Sequence, residues 1–382
     1  MKKVLALMLG CVLLFGAAAC GETSDPVTTT APVTTAANNA AGASAADIEA
    51  LRGTALNVYS WGEYISDGLD GSLDVNKEFK KKYGIDVVYD TFDSNEAMYA
   101  KIKGGGVSYD VVVPSDYMIG RMIREDMLEK LNFANIPNYK NIAPEYKNLY
   151  FDTANEYSVP YLVGMIGLIY NTTKVTAAPD SWAVLWDADY KGKICMINNP
   201  RDAFAIAQAL LGQDVNSLNE ADWNAAAQKL KEQKPVRQSF VNDDVYAKME
   251  SGEAAMAPYF AGDYLTMLDV NEDLGFVYPK EGVNEFVDSA CILKGSQNKL
   301  AAELYINFLL EEEIAMANAE YVCYASPNTL VRNNADYAFY QNEILYPTAD
   351  KKPKTYTFSD LPQATLTRMG SLWDEVKAGV KD

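Results

Sequence analysis

Leu56 to Trp61 alternates apolar and polar side chains as a strand does. Val75 to Tyr83 then carries helical spacing closed by Gly84, and Ile85 to Tyr89 is a strand again. This β-α-β opening commits the chain to an α/β architecture. Asp93 and Glu96, three apart, form a candidate capping box for the helix through Met98 and Ile102. Val111 to Val113 is short and wholly apolar, as buried parallel strands are, and a helix through Met122 and Leu128 follows it. The pattern returns later: Ile194 to Ile197 is a strand, Asp202 to Leu211 a helix ended by Gly212, and Ala221 to Gln233 a helix before Pro235.

The chain has 382 residues, and about 330 remain beyond its N-terminal segment, enough for two lobes of ordinary size. One large domain is the other reading. Tyr157 to Val163 and Phe276 to Phe286, where proline and glycine stand beside aromatics, are candidate crossings between lobes. On that basis residues 54–160 are the first part of lobe I, 161–281 lobe II, and 282–346 the return to lobe I, while 347–382 form C-terminal helices of unassigned lobe. Ligands of open α/β sheets sit beyond the carboxyl ends of strands. Trp61 to Tyr64, Ser115 to Tyr117 and Asn198 to Asp202 are therefore the first site candidates.

Lys2 and Lys3, an apolar run from Val4 to Phe15 and small residues up to Ala19 make an export leader too short to span a membrane. The residues before Cys20 resemble a bacterial lipobox, in which that cysteine is lipidated; Ala17 stands where leucine is usual. Cleavage at an Ala-x-Ala site is the other reading. From Gly21 to about Ala46 the chain is Thr, Ala, Pro and Ser, unable to bury a core, so 21–53 reads as a disordered tether. The folded part is thus expected on the outer face of the bacterial cytoplasmic membrane, held by lipid alone.

The net charge of −19, from 52 acidic and 33 basic residues, repels nucleic acid and draws cations to any cleft it lines; solubility explains it equally well. Histidine is absent, which removes the commonest general base and zinc ligand. Cys195, Cys291 and Cys323 lie in apolar runs, without metal-ligand spacing, and read as buried thiols. No cofactor is expected.

At Trp61 to Tyr64, Ser94 to Lys101, Val113 to Tyr117, Ser181 to Gly192, Tyr278 to Ser289 and Tyr324 to Asn328 the chain resembles the spermidine/putrescine-binding proteins of polyamine ABC importers, a likeness running from about Leu56 to Lys381. The resemblance implies a periplasmic-binding-protein type II fold: two α/β lobes, a hinge, one polyamine in the cleft, no chemistry done on it, and delivery by a monomer to a membrane permease. It places ligand contacts on Trp61, Glu63, Tyr64, Ser115 and Tyr117. The family's acidic pair falls on Asn199 and Asp202, the first being a departure from carboxylate to amide. Two family tryptophans fall on Phe260 and Phe286, a carboxylate on Asp288, and a tyrosine on Tyr324. Asp263 matches a position that is acidic in putrescine-preferring relatives, where it offers the charge missing at Asn199. A further glutamine contact has no placed counterpart between Thr357 and Gln363.

A polyamine needs apolar walls for its methylenes and acidic or π-rich faces for its ammonium groups. Each ring over an ammonium contributes about 0.5–2 kcal/mol, and burying an unpaired charge costs several kcal/mol, so the carboxylates decide most. Ser115 also suits an N-cap, and Asp202 a first-turn carboxylate. The runs Lys80 to Lys82 and Glu311 to Glu313 read as solvated helix surface. Competing functions are binding of another small organic cation and, through a carboxylate pair, a secreted hydrolase.

Overall fold

The computed structural model describes residues 42–378, all within one compact unit. Strand β1 (Ala55–Trp61) lies parallel to β2 (Asp86–Phe92), pairing Ala55 with Asp86 and Trp61 with Phe92, and parallel to β3 (Val111–Val112) on its other side. The crossover helix Val75–Tyr83 starts where the Asp74 carboxylate accepts from the Lys77 amide. It stops at Gly84, whose φ of 71° is left-handed and costs only glycine little. Val75 and Phe79 are the residues it buries against the sheet.

The remaining strands are β4 (Ser158–Asn171), β5 (Ile194–Ile197), β6 (Arg237–Val241), β7 (Met256–Phe260), β8 (Leu274–Val277), β9 (Val283–Ile292) and β10 (Thr355–Tyr356). The order is β2-β1-β3-β9-β4-β7-β5-β6, with β8 on β4 and β10 on β9. All 14 residues of β4 are buried, and the strand serves both halves of the molecule. Ser158 to Met165 pairs antiparallel with β9, whereas Ile166 to Tyr170 pairs with β7 and Leu168 to Asn171 with β8. The chain returns from β8 to β9 through Tyr278–Gly282. Of the two stretches marked as crossings, the second contains this return, while the change of partners on β4 falls just beyond the first.

Separate cores flank that change. One gathers Leu56, Phe79, Ile136, Ala302 and Tyr305; a second gathers Ile169, Trp182, Met196, Phe204 and Trp223; a third gathers Tyr59, Phe92, Met118 and Phe358. Cys195 and Cys291 are buried and Cys323 half-buried, all as free thiols. Lys82 and Glu311, from the two charged runs, pair at the surface at 2.5 Å.

Three expectations need correction. The 21–53 tether is too long: a helix covers Ala45–Glu49, capped by Ser44 and Asp47, and the Ala43 amide donates to Asn135 Oδ1 at 2.7 Å. Ile48 and Leu51 supply apolar contacts with the first core, so this stretch has something to pack on. The cap of the helix Asn95–Gly104 is Ser94, which accepts from Ala97, and not Asp93. After residue 347 there is one helix among the described residues, Gln363–Ala378, preceded by β10. It packs on the second core through Trp373 against Phe204 and Phe240 at 6.1 and 4.9 Å, and through Lys231–Glu375 at 2.8 Å. The leader, Cys20 and the start of the tether lie outside the described residues. No helix among the described residues is long and apolar enough to cross a membrane.

Candidate functional site

Side chains alternate across a strand, so Asn284, Phe286 and Asp288 share one face of β9. Asp288 is 3% exposed; its Oδ2 accepts from the Tyr64 hydroxyl at 2.6 Å, and its Oδ1 has no hydrogen-bond partner. Burial pushes this carboxyl up to about 6, against the pull of hydrogen bonds from Ser115 and Tyr64. Tyr64 stands just past β1, where Glu63, exposed and left-handed at φ 52°, turns the chain. Trp61, half-buried at the strand end, lies 4.6 Å from Phe92, and its indole nitrogen is buried without a partner.

Rings continue from Tyr64. Its ring meets Tyr324 edge-on at 5.6 Å and Tyr161 at 5.8 Å, Tyr324 lies 6.1 Å from Phe286, and Phe286 lies 5.5 Å from Phe260. Two glycines make room for them. A Cβ on Gly262 would stand 1.9 Å from the Tyr324 ring, and one on Gly164 2.2 Å from that of Phe286. Asp263, on the first turn of the helix Ala261–Val270, closes the series: Oδ1 accepts from Tyr246 at 2.9 Å and Oδ2 from Tyr324 at 2.8 Å. Burial raises it to about 6, while both phenols pull it back towards the ionised form.

A second group lies around Asp202, which is 3% exposed on the helix Pro200–Leu210. Its one hydrogen bond is from Asn284 Nδ2 at 3.4 Å, long for an N–H···O bond. Burial pushes its carboxyl up to about 7; Asn284 and Arg201 oppose the shift and Glu96 adds to it. Arg201, beside it, is 2% exposed and lies 4.4 Å over Phe358. One guanidinium nitrogen bonds Asn216 at 2.9 Å, and Nε and Nη1 have no partner. Asn199 caps the same helix, its side-chain oxygen accepting from the Arg201 amide at 3.0 Å.

Tyr117 joins the two groups. Its hydroxyl donates to Glu96 Oε1 at 3.0 Å and accepts from Asn95 Nδ2 at 3.1 Å, while Asn95 Oδ1 accepts from the Ser115 amide at 3.2 Å. Ser115 occupies the N-cap position of the helix Asp116–Arg124 without making a side-chain cap bond, and it bridges to Asp288.

The structure thus draws Tyr64, Ser115, Tyr117, Asp202, Phe260, Asp263, Phe286, Asp288 and Tyr324 into one chain of contacts, with Trp61 at its edge. Glu63 is exposed, and Asn199 spends its side-chain oxygen on the helix. Sequence reasoning missed Tyr246, Asn95 and Asn284 and read Glu96 only as a cap. Asn284 was within reach, since it precedes Phe286 by the strand period of two; nothing in the sequence marks Tyr246. In the unplaced C-terminal stretch, Phe358 packs against Tyr117 at 6.1 Å and Gln363 accepts from Arg121 at 3.0 Å. Among the described residues no group of three or more acidic or cysteine side chains is placed to hold a metal.

Residues 75–348 match the family described as bacterial extracellular solute-binding protein. The chain belongs to this family. The "Spermidine/putrescine-binding periplasmic protein" of Salmonella typhimurium is 32% identical over 326 residues, which are 85% of this chain and 92% of that one. Among solved structures, the "Putative spermidine/putrescine ABC transporter from Listeria monocytogenes" superposes with a TM-score of 0.80 at 36% identity, covering 85% of this chain and 98% of that one. The Tp0655 lipoprotein of Treponema pallidum gives 0.74 at 28%, covering 84% and 99%. This solute-binding protein therefore has the two-lobed periplasmic binding protein fold expected for it, and it works outside the cytoplasm. As a solute-binding protein it is not an enzyme, and the carboxylate-dependent hydrolase is set aside.

Proposed function

We propose that this protein captures a polyamine, spermidine or putrescine, and delivers it to the permease of an ABC importer. The observation that carries this reading is the run of rings from Tyr64 through Tyr324 and Phe286 to Phe260, with a buried carboxyl at Asp288 and another at Asp263. Ammonium groups spaced along a hydrocarbon chain are matched by carboxylates spaced along an apolar wall. The free Oδ1 of Asp288 is an acceptor awaiting a donor, and leaving it unmade costs about 1–3 kcal/mol that a ligand N–H recovers. Trp61 and Phe260 supply ring faces, Ser115 and Tyr117 polar contacts, Glu63 a carboxylate at the rim. Residues 54–160 and 282–346 act as one lobe and 161–281 as the other, closing about the partner change on β4 and the return through Tyr278–Gly282. The names of the relatives support the ligand class, and Cys20 carries the lipid that keeps the protein at the membrane.

Titration calorimetry with spermidine and putrescine tests the reading, alongside thermal melting. Heat of binding and a raised melting temperature are expected; neither at millimolar ligand would sink it. Cys20→Ser should release the protein from membranes, and retention of that variant removes the anchor.

A further inference from the structure

Asn199 stands where a carboxylate would pair with an ammonium, and its side-chain oxygen is already taken by the Arg201 amide. Asp263 serves the other end of the ring series, where its two oxygens accept from Tyr246 and Tyr324. A different acid reaches this end of the site from the other half of the molecule. Glu96 comes from the first half of the molecule, on the helix Asn95–Gly104. It is half-buried and held by the Tyr117 hydroxyl at 3.0 Å, and the ring of Tyr117 lies 5.8 Å from the guanidinium of Arg201, the residue next to Asp202 in the chain. Asn284 is the independent pointer: it is 4% exposed, its amide nitrogen faces Asp202, and its Oδ1 has no partner.

We infer that Glu96, Asp202 and the Asn284 carbonyl oxygen together form a second ammonium subsite, in which Glu96 supplies the carboxylate missing at Asn199. This rests on the polyamine reading. Two carboxylates less the Arg201 guanidinium leave one negative charge, the amount a single ammonium neutralises. Three acceptors suit the three N–H donors of a primary ammonium. Glu96 and Asp202 lie on opposite sides of the partner change in β4, so a cation between them ties the lobes together, whereas without it the two acids repel. The subsite therefore couples ligand capture to lobe closure.

Glu96→Gln tests this, because glutamine keeps an oxygen for the Tyr117 hydroxyl and removes only the charge. Calorimetry with putrescine and with spermidine at pH 8 should show at least a tenfold loss for whichever amine the unaltered protein binds more tightly, with a weaker dependence on salt. The ligand-free melting temperature should stay unchanged or rise. A loss smaller than tenfold overturns the subsite. Glu96→Lys is the second variant: a resident ammonium should abolish measurable binding without lowering ligand-free stability, and binding within tenfold of the unaltered protein overturns the subsite independently. If the unaltered protein binds neither amine, the polyamine reading fails first and the subsite with it.

Discussion

Asp288 and Asp202 are buried to the same degree, 3% exposed each, yet the protein compensates them differently. Asp288 receives a 2.6 Å bond from a phenol and sits at about 6. Asp202 receives one 3.4 Å bond from an amide, is pushed a little further up by the charge of Glu96, and sits at about 7. Desolvation dominates both, so the difference lies in the donors. The Asp288–Asp263 end is pre-organised by tyrosines locked among rings. The Asp202 end is looser, held by a single long bond.

The largest effect expected from this contrast is at Asp288. Asp288→Asn keeps an oxygen for Tyr64 but leaves a ligand ammonium unpaired, a loss of about 3–5 kcal/mol, or roughly 150- to 5,000-fold in Kd. Calorimetry checks it, and a loss under tenfold would put the main cation site elsewhere. Next comes Gly262→Ala, whose Cβ meets the Tyr324 ring at 1.9 Å. Overpacking of this kind costs about 1–3 kcal/mol, so melting temperature and polyamine affinity should both drop as Tyr324 is driven from Asp263.

The pH response separates ligand-free from loaded protein. Asp263 and Asp288 at about 6 and Asp202 at about 7 lie above the unfolded value for aspartate of about 3.9, so between these values the folded state holds more protons than the unfolded one. Stability of the ligand-free protein should therefore rise as pH falls from 8 to 5.5. On the proposed reading polyamine binding needs the same acids ionised, so the stabilisation it confers should shrink over that interval. Melting curves with and without spermidine read both trends, and parallel shifts would break the link between these acids and the ligand. The smallest effect is at Asn199→Asp, which preserves the helix cap and adds a charge at the looser end. A gain of roughly three- to tenfold is expected, greater for spermidine than for putrescine, and equal gains would separate Asn199 from amine selectivity.

Local signals carried much of this into the sequence. Gly84 marked the end of the first crossover helix because a left-handed cap leaves little choice of residue, and Ile194–Ile197 stood out as a wholly apolar run. The aromatic and acidic positions were legible through family resemblance, not through periodicity: by pattern alone Phe286 only closes an extended stretch and Asp288 lies beyond it, and β9 aligns them on one face. The dual pairing of β4 was hidden because a strand buried along its whole length shows no alternation to mark where its neighbours change. Tyr246 was hidden for another reason. It meets Asp263 across a sequence gap of 17 residues from a different helix, and only tertiary packing brings them together.

That shared strand has a consequence for how the molecule comes apart. With residues 158–165 zipped to one neighbour and 166–171 to others, neither half keeps a complete set of main-chain partners once β4 is pulled away. Cutting the chain near Met165 would leave raw sheet edges on both fragments, the kind that recruit foreign strands. Melting should accordingly be a single cooperative event for the whole body, and neither half should survive expression alone.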